Sequence, residues 1–438
     1  MNLLAHGVGG RTDLPVPTWM VGYGAAAVLL ISFAGLAVFW RNERLEKARP
    51  GPLLAKGGSP ASRATLAATR AFGLAFFVLL LAAALFGVDR PLENLAPITI
   101  YVTFWVGLTI ICALVGDLYA LLDPYETLAS GAGAGATRDD ADGGATRFGL
   151  WPAAVGLFAF VWLELVYDEG SRPRVLGVGM LLLTAVVLVG AFVLGQRFVR
   201  EGNPFRAWFG LLGAMAPIGA DRRGNVRLRW PLTGLAQLRP LPGTVALVIV
   251  ALGSTAFDGI TRATWWSDLT GDLDGVASTA AATAGLTAAI LVVAALYLGS
   301  MRIADGLTAG KAGGTMRLAD AFVHSLVPIA FAYAVAHYVS LLLFEGQAFW
   351  ALLSDPFGRG WNVFGTAGNR IDFMVASPRT ISWIQVASIV LGHVAGVVLA
   401  HDRALALFPG KQSTRSQYPL LVVMVLFTVA GLVLLLGG

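Results

Sequence analysis

Two of the five histidines are the side chains best placed to do chemistry, because they lie in otherwise strongly apolar segments. His337 stands in AFAYAVAHYVSLLLF and His393 in IVLGHVAGVVLA. An ionisable ring in hydrocarbon costs free energy unless it has a partner, so intramembrane histidines indicate a functional site.

An aspartate and a third histidine can complete a metal site with them. His337 and His393 would lie about 9 and 16 Å below one membrane face, at 1.5 Å per helical residue. Asp258, in LGSTAFDGITR, falls near the same face, and His6 can reach it from the N-terminal segment. A His/His/Asp set with an open position is typical of catalytic zinc, which lowers the pKa of bound water to about 7. We therefore predict a divalent metal, zinc by its ligands, at this face.

Glu164, in VWLELVYDEG, lies near the same face at the end of another apolar segment. A buried carboxylate within reach of an activated water can act as a general base. Asp258 and Glu164 are the predicted catalytic residues. Asp117, near the opposite face, is expected to cap or pair structurally.

Simpler interpretations remain open for each residue. Asp258 precedes Arg262 by four residues and can form an ion pair at a helix end. His337 and His393 can hydrogen-bond to a neighbouring helix as packing contacts.

The other two histidines, His324 and His401, are predicted to be interfacial. A bis-histidine haem set is the alternative for the two segments with paired histidines. His324 and His337 are 13 residues apart, which turns them about 140° from each other and disfavours that set.

Composition places these residues in a membrane. Of the 438 residues 56% are hydrophobic and 13% charged, whereas soluble proteins carry about 25% charged residues. The net charge of +5 comes from basic residues in short connections, so no nucleic-acid partner is predicted. A single cysteine, Cys112, excludes an intrachain disulfide, and phosphate loops and nucleophile elbows are absent from the sequence.

We predict an all-α, polytopic bundle of about ten transmembrane helices forming a single integral membrane domain over residues 1–438. Apolar runs near 20 residues match a bilayer core of about 30 Å. The predicted spans are 17–40, 68–88, 97–120, 150–167, 175–197, 242–261, 278–300, 319–343, 382–402 and 417–438.

Basic residues set the predicted orientation. An N-out and C-out topology puts 23 of the 31 lysines and arginines on the cytoplasmic side, as the positive-inside rule requires. Residues 129–146 would form a flexible cytoplasmic linker and residues 203–240 a basic segment on the cytoplasmic interface. Residues 344–381 would form an external aromatic loop over the mouth of the bundle.

Three stretches resemble a group of bacterial integral membrane proteins known as fenitrothion hydrolases. They are AHGVGGRTDLPVP (5–17), HSLVPIAFAYAVAHYVSLLL (324–343), and SDPFGRGWNVFGTA (354–367) followed by GHVAGVVLAHDRA (392–404). The resemblance implies a hydrolase in the bacterial inner membrane that cleaves the aryl ester of an organophosphorus triester. It carries over no catalytic residues.

The combined prediction is a membrane-embedded, metal-dependent hydrolase of a hydrophobic ester, a small molecule that partitions into the lipid bilayer. Trp265, Trp266, Trp361 and Phe364 would hold its aryl group. The alternative is a multi-span transporter, or a metal- or haem-handling protein, that uses the same intramembrane residues. An enzyme requires the polar groups clustered at one depth, and a transporter requires them along a path.

Overall fold

The computed structural model describes residues 17–133, 147–221, 223–308, 310 and 313–436. The described fold is all-α apart from one small sheet. The helices of the first half are α1 (Thr18–Phe39), α2 (Pro60–Phe86), α3 (Leu95–Pro97), α4 (Leu108–Leu114), α5 (Tyr119–Leu122), α6 (Pro124–Gly131), α7 (Trp151–Leu165), α8 (Pro173–Leu194), α9 (Arg197–Gly202) and α10 (Pro204–Gly213). Those of the second half are α11 (Thr233–Ala236), α12 (Thr244–Ile260), α13 (Thr264–Thr270), α14 (Gly275–Leu307), α15 (Thr315–Phe322), α16 (Val327–Phe344), α17 (Ala348–Ser354), α18 (Pro378–Leu407) and α19 (Lys411–Leu436).

A ten-residue π-helix, Ile98–Gly107, joins α3 to α4. Three 3₁₀ turns, Pro91–Glu93, Val323–Leu326 and Glu345–Gln347, precede α3, α16 and α17. The small sheet is antiparallel, with β3 (Val226–Leu228) between β1 (Leu53–Ala55) and β2 (Ile218–Ala220).

The chain is a multi-pass membrane protein with fewer full-length spans than predicted. Among the described residues eight helical segments are long and apolar enough to cross a bilayer, or nine if one bent pair counts as a span. The prediction of an all-α bundle is confirmed. The bent pair is α12 and α13, which meet at 82°.

The two predicted spans that do not pass as single helices are the fourth and the sixth. α7 has 15 residues and α12 has 17, so they rise about 22 and 26 Å against a bilayer core of about 30 Å. Each therefore ends inside the membrane thickness or close to it. These two helices carry Glu164 and Asp258.

Local sequence signals fix where several long helices begin. Ser59 accepts a hydrogen bond from the N–H of Ser62, and Ser377 accepts one from Thr380. In both cases proline follows as the first helical residue. A serine cap satisfies one unpaired N–H, and proline lacks the N–H that would otherwise remain unpaired.

Glycines allow α16 and α18 to pack closely in the centre of the bundle. A Cβ at Gly392 would overlap the Cβ of Ala332 and the carbonyl oxygen of Pro328. A Cβ at Gly396 would press on the carbonyl oxygen of Ser325. Small residues at such positions let two helix backbones approach, which is a main source of stability between membrane helices.

The segments outside the long helices differ from their predicted roles. Eight of the ten residues of α10 are buried, so this helix packs inside the bundle, whereas it was predicted to lie on the interface. Arg229 donates to the carbonyls of Gly213 and Ala216 at the end of α10 and so caps a helix. The predicted linker 129–146 begins inside helix α6, and residues 134–146 lie outside the described residues.

The loop 344–381 forms hydrogen bonds with the chain segment that follows α2. The carbonyls of Phe357 and Pro356 accept hydrogen bonds from the N–H groups of Val88 and Leu95. Trp361 and Phe364 are 44% and 64% exposed. The predicted aromatic loop is therefore present, but these contacts tie it to the end of α2.

The contact between α16 and α18 gives a stability test. Gly392→Ala should lower the free energy of unfolding by about 1–3 kcal/mol, the usual cost of overpacking, because backbone and Cβ atoms already fill the space. The matched control is Gly299→Ala on α14, where nothing lies within 4 Å of an added Cβ. The measurement is unfolding in mixed micelles, and equal stability of the two variants would contradict the packing described.

Candidate functional site

The centre of the site is a direct contact between a carboxylate and an imidazole. Oδ2 of Asp258 on α12 lies 2.6 Å from Nε2 of His337 on α16. Asp258 is fully buried and His337 is 6% exposed. A buried carboxylate is stable only with a partner, and an imidazole N–H is a partner that can also give up or take a proton.

Glu164, Tyr338 and Arg262 surround this contact. Glu164 is buried and close enough to Asp258 for their charges to interact. The hydroxyl of Tyr338 is within hydrogen-bonding reach of Asp258, and the charge of Arg262 acts on Tyr338. Nε and Nη2 of Arg262 are buried without hydrogen-bond partners among the described residues. The site therefore combines two carboxyls, an imidazole, a phenol and a guanidinium.

Helix ends bring these groups together. Glu164 is the last residue but one of α7, and Asp258 stands two residues before the end of α12. A helix C-terminus carries partial negative charge, which makes a carboxylate there unfavourable unless a proton or a cation compensates. His337 contacts Asp258 directly and can supply that compensation.

Aromatic residues cover the site. Trp266 packs edge-to-face on Phe257, the neighbour of Asp258, at 5.5 Å between ring centroids. Trp162 stacks on Tyr167, and the hydroxyl of Tyr101 donates to the carbonyl of Gly170. Of the four residues predicted to hold an aryl group, Trp266 packs against the residue next to Asp258.

His393 is not part of the contact. Its Nδ1 lies 2.8 Å from the carbonyl oxygen of Ile389, one turn earlier on α18. Its ring packs edge-to-face on Tyr333, at 5.8 Å between ring centroids. Its Nε2 is buried and has no hydrogen-bond partner within the part of the chain that the structure describes. The local carbonyl bond matches the simpler interpretation of His393 as a structural histidine.

The predicted zinc site is not assembled by the described residues. No group of three or more histidine, cysteine, aspartate and glutamate side chains among them is arranged to hold a metal ion. Asp258 and His337 touch directly, which fits a hydrogen-bonded pair better than two ligands separated by a metal. His6 lies outside the described residues, so its predicted role stays a prediction.

His401 and Asp402 lie near the C-terminal end of α18, and Asp402 was not among the residues that the sequence singled out. His401, predicted to be interfacial, is 2% exposed. Its Nδ1 lies 3.1 Å from Oε1 of Gln417 and its Nε2 lies 3.0 Å from the carbonyl oxygen of Trp40. Asp402 is fully buried, and its carboxylate accepts hydrogen bonds from four N–H groups of residues 40–46. These contacts tie the chain after α1 to α18.

His324 is also buried, so neither of these histidines lies at an exposed interface.

A second charged cluster lies among α2, α6 and α10. Asp117 pairs with Arg206 at 2.5 Å, and Arg70 pairs with Glu126 at 2.9 Å. Asp123 is 1% exposed and caps α6 through Oδ1. Burial raises the pKa of Asp123 to about 7, against the attraction of Arg206. The expectation that Asp117 pairs structurally agrees with this geometry.

Comparison of the chain with family models, with curated proteins and with solved structures finds no match. The site is therefore interpreted from its own geometry.

A double-mutant cycle tests the contact at the centre of the site. Asp258→Asn and His337→Asn should show a coupling energy of about 1–3 kcal/mol in the free energy of unfolding, because each removes the other's partner. Asp258→Asn combined with His393→Asn should be additive within about 0.5 kcal/mol. Additivity in both cycles, measured in mixed micelles, would contradict the contact.

Asp123 should make stability depend on pH. Its folded pKa near 7 exceeds the ordinary value of about 3.9, so the folded state holds a proton that the unfolded state has lost. Stability should fall as pH rises between these values. Asp123→Asn keeps the helix cap but has no proton to lose. Its free energy of unfolding should therefore rise relative to that of the parent by about 1.4 kcal/mol for each pH unit inside this window. Parallel pH profiles of the two proteins would contradict the assignment.

Proposed function

We propose that this chain is a membrane-embedded hydrolase in which Asp258 and His337 activate a water molecule. The observation that carries the proposal is the direct contact between these two side chains, with Glu164 beside them. An enzyme requires its polar groups to be clustered at one depth of the membrane. The proposed compartment is the bacterial inner membrane.

The proposed reaction is acid–base hydrolysis. Asp258 orients the ring of His337 through Nε2, which leaves Nδ1 to take a proton from water. The water oxygen forms a bond to the electrophilic centre of the ester while the bond to the leaving oxygen breaks. The proton is then returned to the leaving group, from His337 or from Glu164.

The sequence resemblance supplies the proposed substrate class, a hydrophobic organophosphorus triester with an aryl leaving group. The buried, unpaired nitrogens of Arg262 support it, because a guanidinium stabilises negative charge developing on a phosphoryl oxygen. The apolar surroundings of the site suit a substrate that reaches it from lipid. A metal ion remains part of the original prediction, and no step of the proposed reaction depends on it.

Hydrolytic activity should depend on the contact pair, Asp258 and His337. With a nitrophenyl phosphotriester in proteoliposomes, Asp258→Asn and His337→Gln should each lower kcat/KM about 10²–10⁴-fold, the usual contribution of general acid–base catalysis. Release of nitrophenol is followed by absorbance.

Two matched controls accompany this assay. His393→Gln changes a buried histidine outside the contact, and Asp320→Asn changes a carboxylate on α15. Both should keep parental activity. An equal loss in His393→Gln and His337→Gln would contradict the assigned pair, and a parent without esterase activity toward phosphotriesters or lipids would contradict the hydrolase.

One observation favours proton-coupled transport as a second candidate. Asp258 and Glu164 are almost completely buried, which suits a proton better than a bulky ester. Asp123, in the second charged cluster, is buried to a similar degree. The test is proton movement into proteoliposomes. This function would be established instead if the parent moves protons without hydrolysing esters, and if Asp258→Asn and Asp123→Asn each abolish that movement.

A further inference from the structure

A groove lies between α1 and α18, and its lining includes neither Asp258 nor His337. Its volume is about 340 Å³, which falls in the range of ligand sites, about 300–1,000 Å³. Apolar side chains and small residues line it, among them Gly35, Leu36, Phe39, Val394 and Val398. An open apolar groove between two membrane helices faces lipid chains.

A cation stands at one end of this groove. Arg44 is exposed and belongs to the lining. Its guanidinium lies 4.9 Å from the ring centroid of Trp40 and makes one long hydrogen bond, 3.5 Å, to the carbonyl of Phe39. Among the described residues no carboxylate pairs with this guanidinium, so its charge remains available to a ligand.

The buried carboxylate of Asp402 holds this cation in place. It accepts hydrogen bonds from Nε1 of Trp40 at 3.0 Å and from the N–H groups of Arg44 at 2.7 Å and Glu46 at 2.9 Å. Arg403 pairs with Glu46 at 2.6 Å, and His401 contacts the carbonyl of Trp40. The proposed hydrolysis uses none of these contacts.

We infer that this groove binds an anionic phospholipid, with an acyl chain along α1 and α18 and the phosphate on Arg44. Charge complementarity selects the occupant, because an apolar groove ending at an unpaired cation matches a lipid that carries a negative headgroup. Basic pockets beside membrane helices on the cytoplasmic side bind such headgroups. Trp40 fits the same position, since tryptophan is enriched where chains meet headgroups. The basic segment after α1 is cytoplasmic by the positive-inside rule.

The test is native mass spectrometry of delipidated protein titrated with phosphatidylglycerol or phosphatidylcholine of the same chain length. The parent should bind phosphatidylglycerol preferentially. Arg44→Gln should weaken that binding about fivefold, as expected for one basic residue facing an anionic headgroup, and Arg44→Lys should restore most of it. The matched control is Arg63→Gln, another exposed arginine, which lies near the start of α2.

A second variant tests the apolar part of the groove. A Cβ at Gly35 meets open space, so Gly35→Leu should fill the groove without disturbing the fold and should reduce lipid binding at least as much as Arg44→Gln. Gly24→Leu, on the same helix and also open, is the control. Unchanged binding in both Arg44→Gln and Gly35→Leu, equal binding of the two lipids, or displacement of lipid by inorganic phosphate would overturn the proposal.

Discussion

The contact between Asp258 and His337 is the interaction on which the site depends. A carboxylate moved from water into a helix bundle loses several kcal/mol of solvation, and Asp258 is fully buried. The imidazole of His337, 2.6 Å away, returns part of that loss and can exchange a proton. Glu164 adds a second carboxyl close enough for its charge to interact with that of Asp258.

Helix length explains how these groups reach one place. None of the eight long segments of the described chain carries either acid of the site, whereas Asp258 and Glu164 lie on two helices of 17 and 15 residues. A short helix ends within the membrane thickness and places its last residues beside the middle of a longer one such as α16. Interrupted helices serve this purpose in membrane proteins generally, because exposed helix ends are stable only next to polar partners.

The sequence predicted the fold class and singled out the residues that meet at the site, for physical reasons that also explain the differences. Apolar runs near 20 residues specify membrane helices, and an ionisable residue within one indicates a polar partner, so His337, Asp258 and Glu164 were identifiable. Helix rotation and packing decide which of two histidines meets a given aspartate. Periodicity does not fix either of them, so the sequence could not tell which of His337 and His393 contacts Asp258. Asp402 was missed because its partners are backbone N–H groups of a distant segment.

The most direct measurement on the central contact is ¹⁵N NMR of the histidine rings in lipid bilayers, with His337 assigned from the His337→Asn spectrum. We expect the Nε2 signal of His337 to report a strong hydrogen bond to a carboxylate and to move in Asp258→Asn, while the signals of His393 stay unchanged. An Nε2 signal of His337 that is the same in the parent and in Asp258→Asn would contradict the contact on which the proposed chemistry rests.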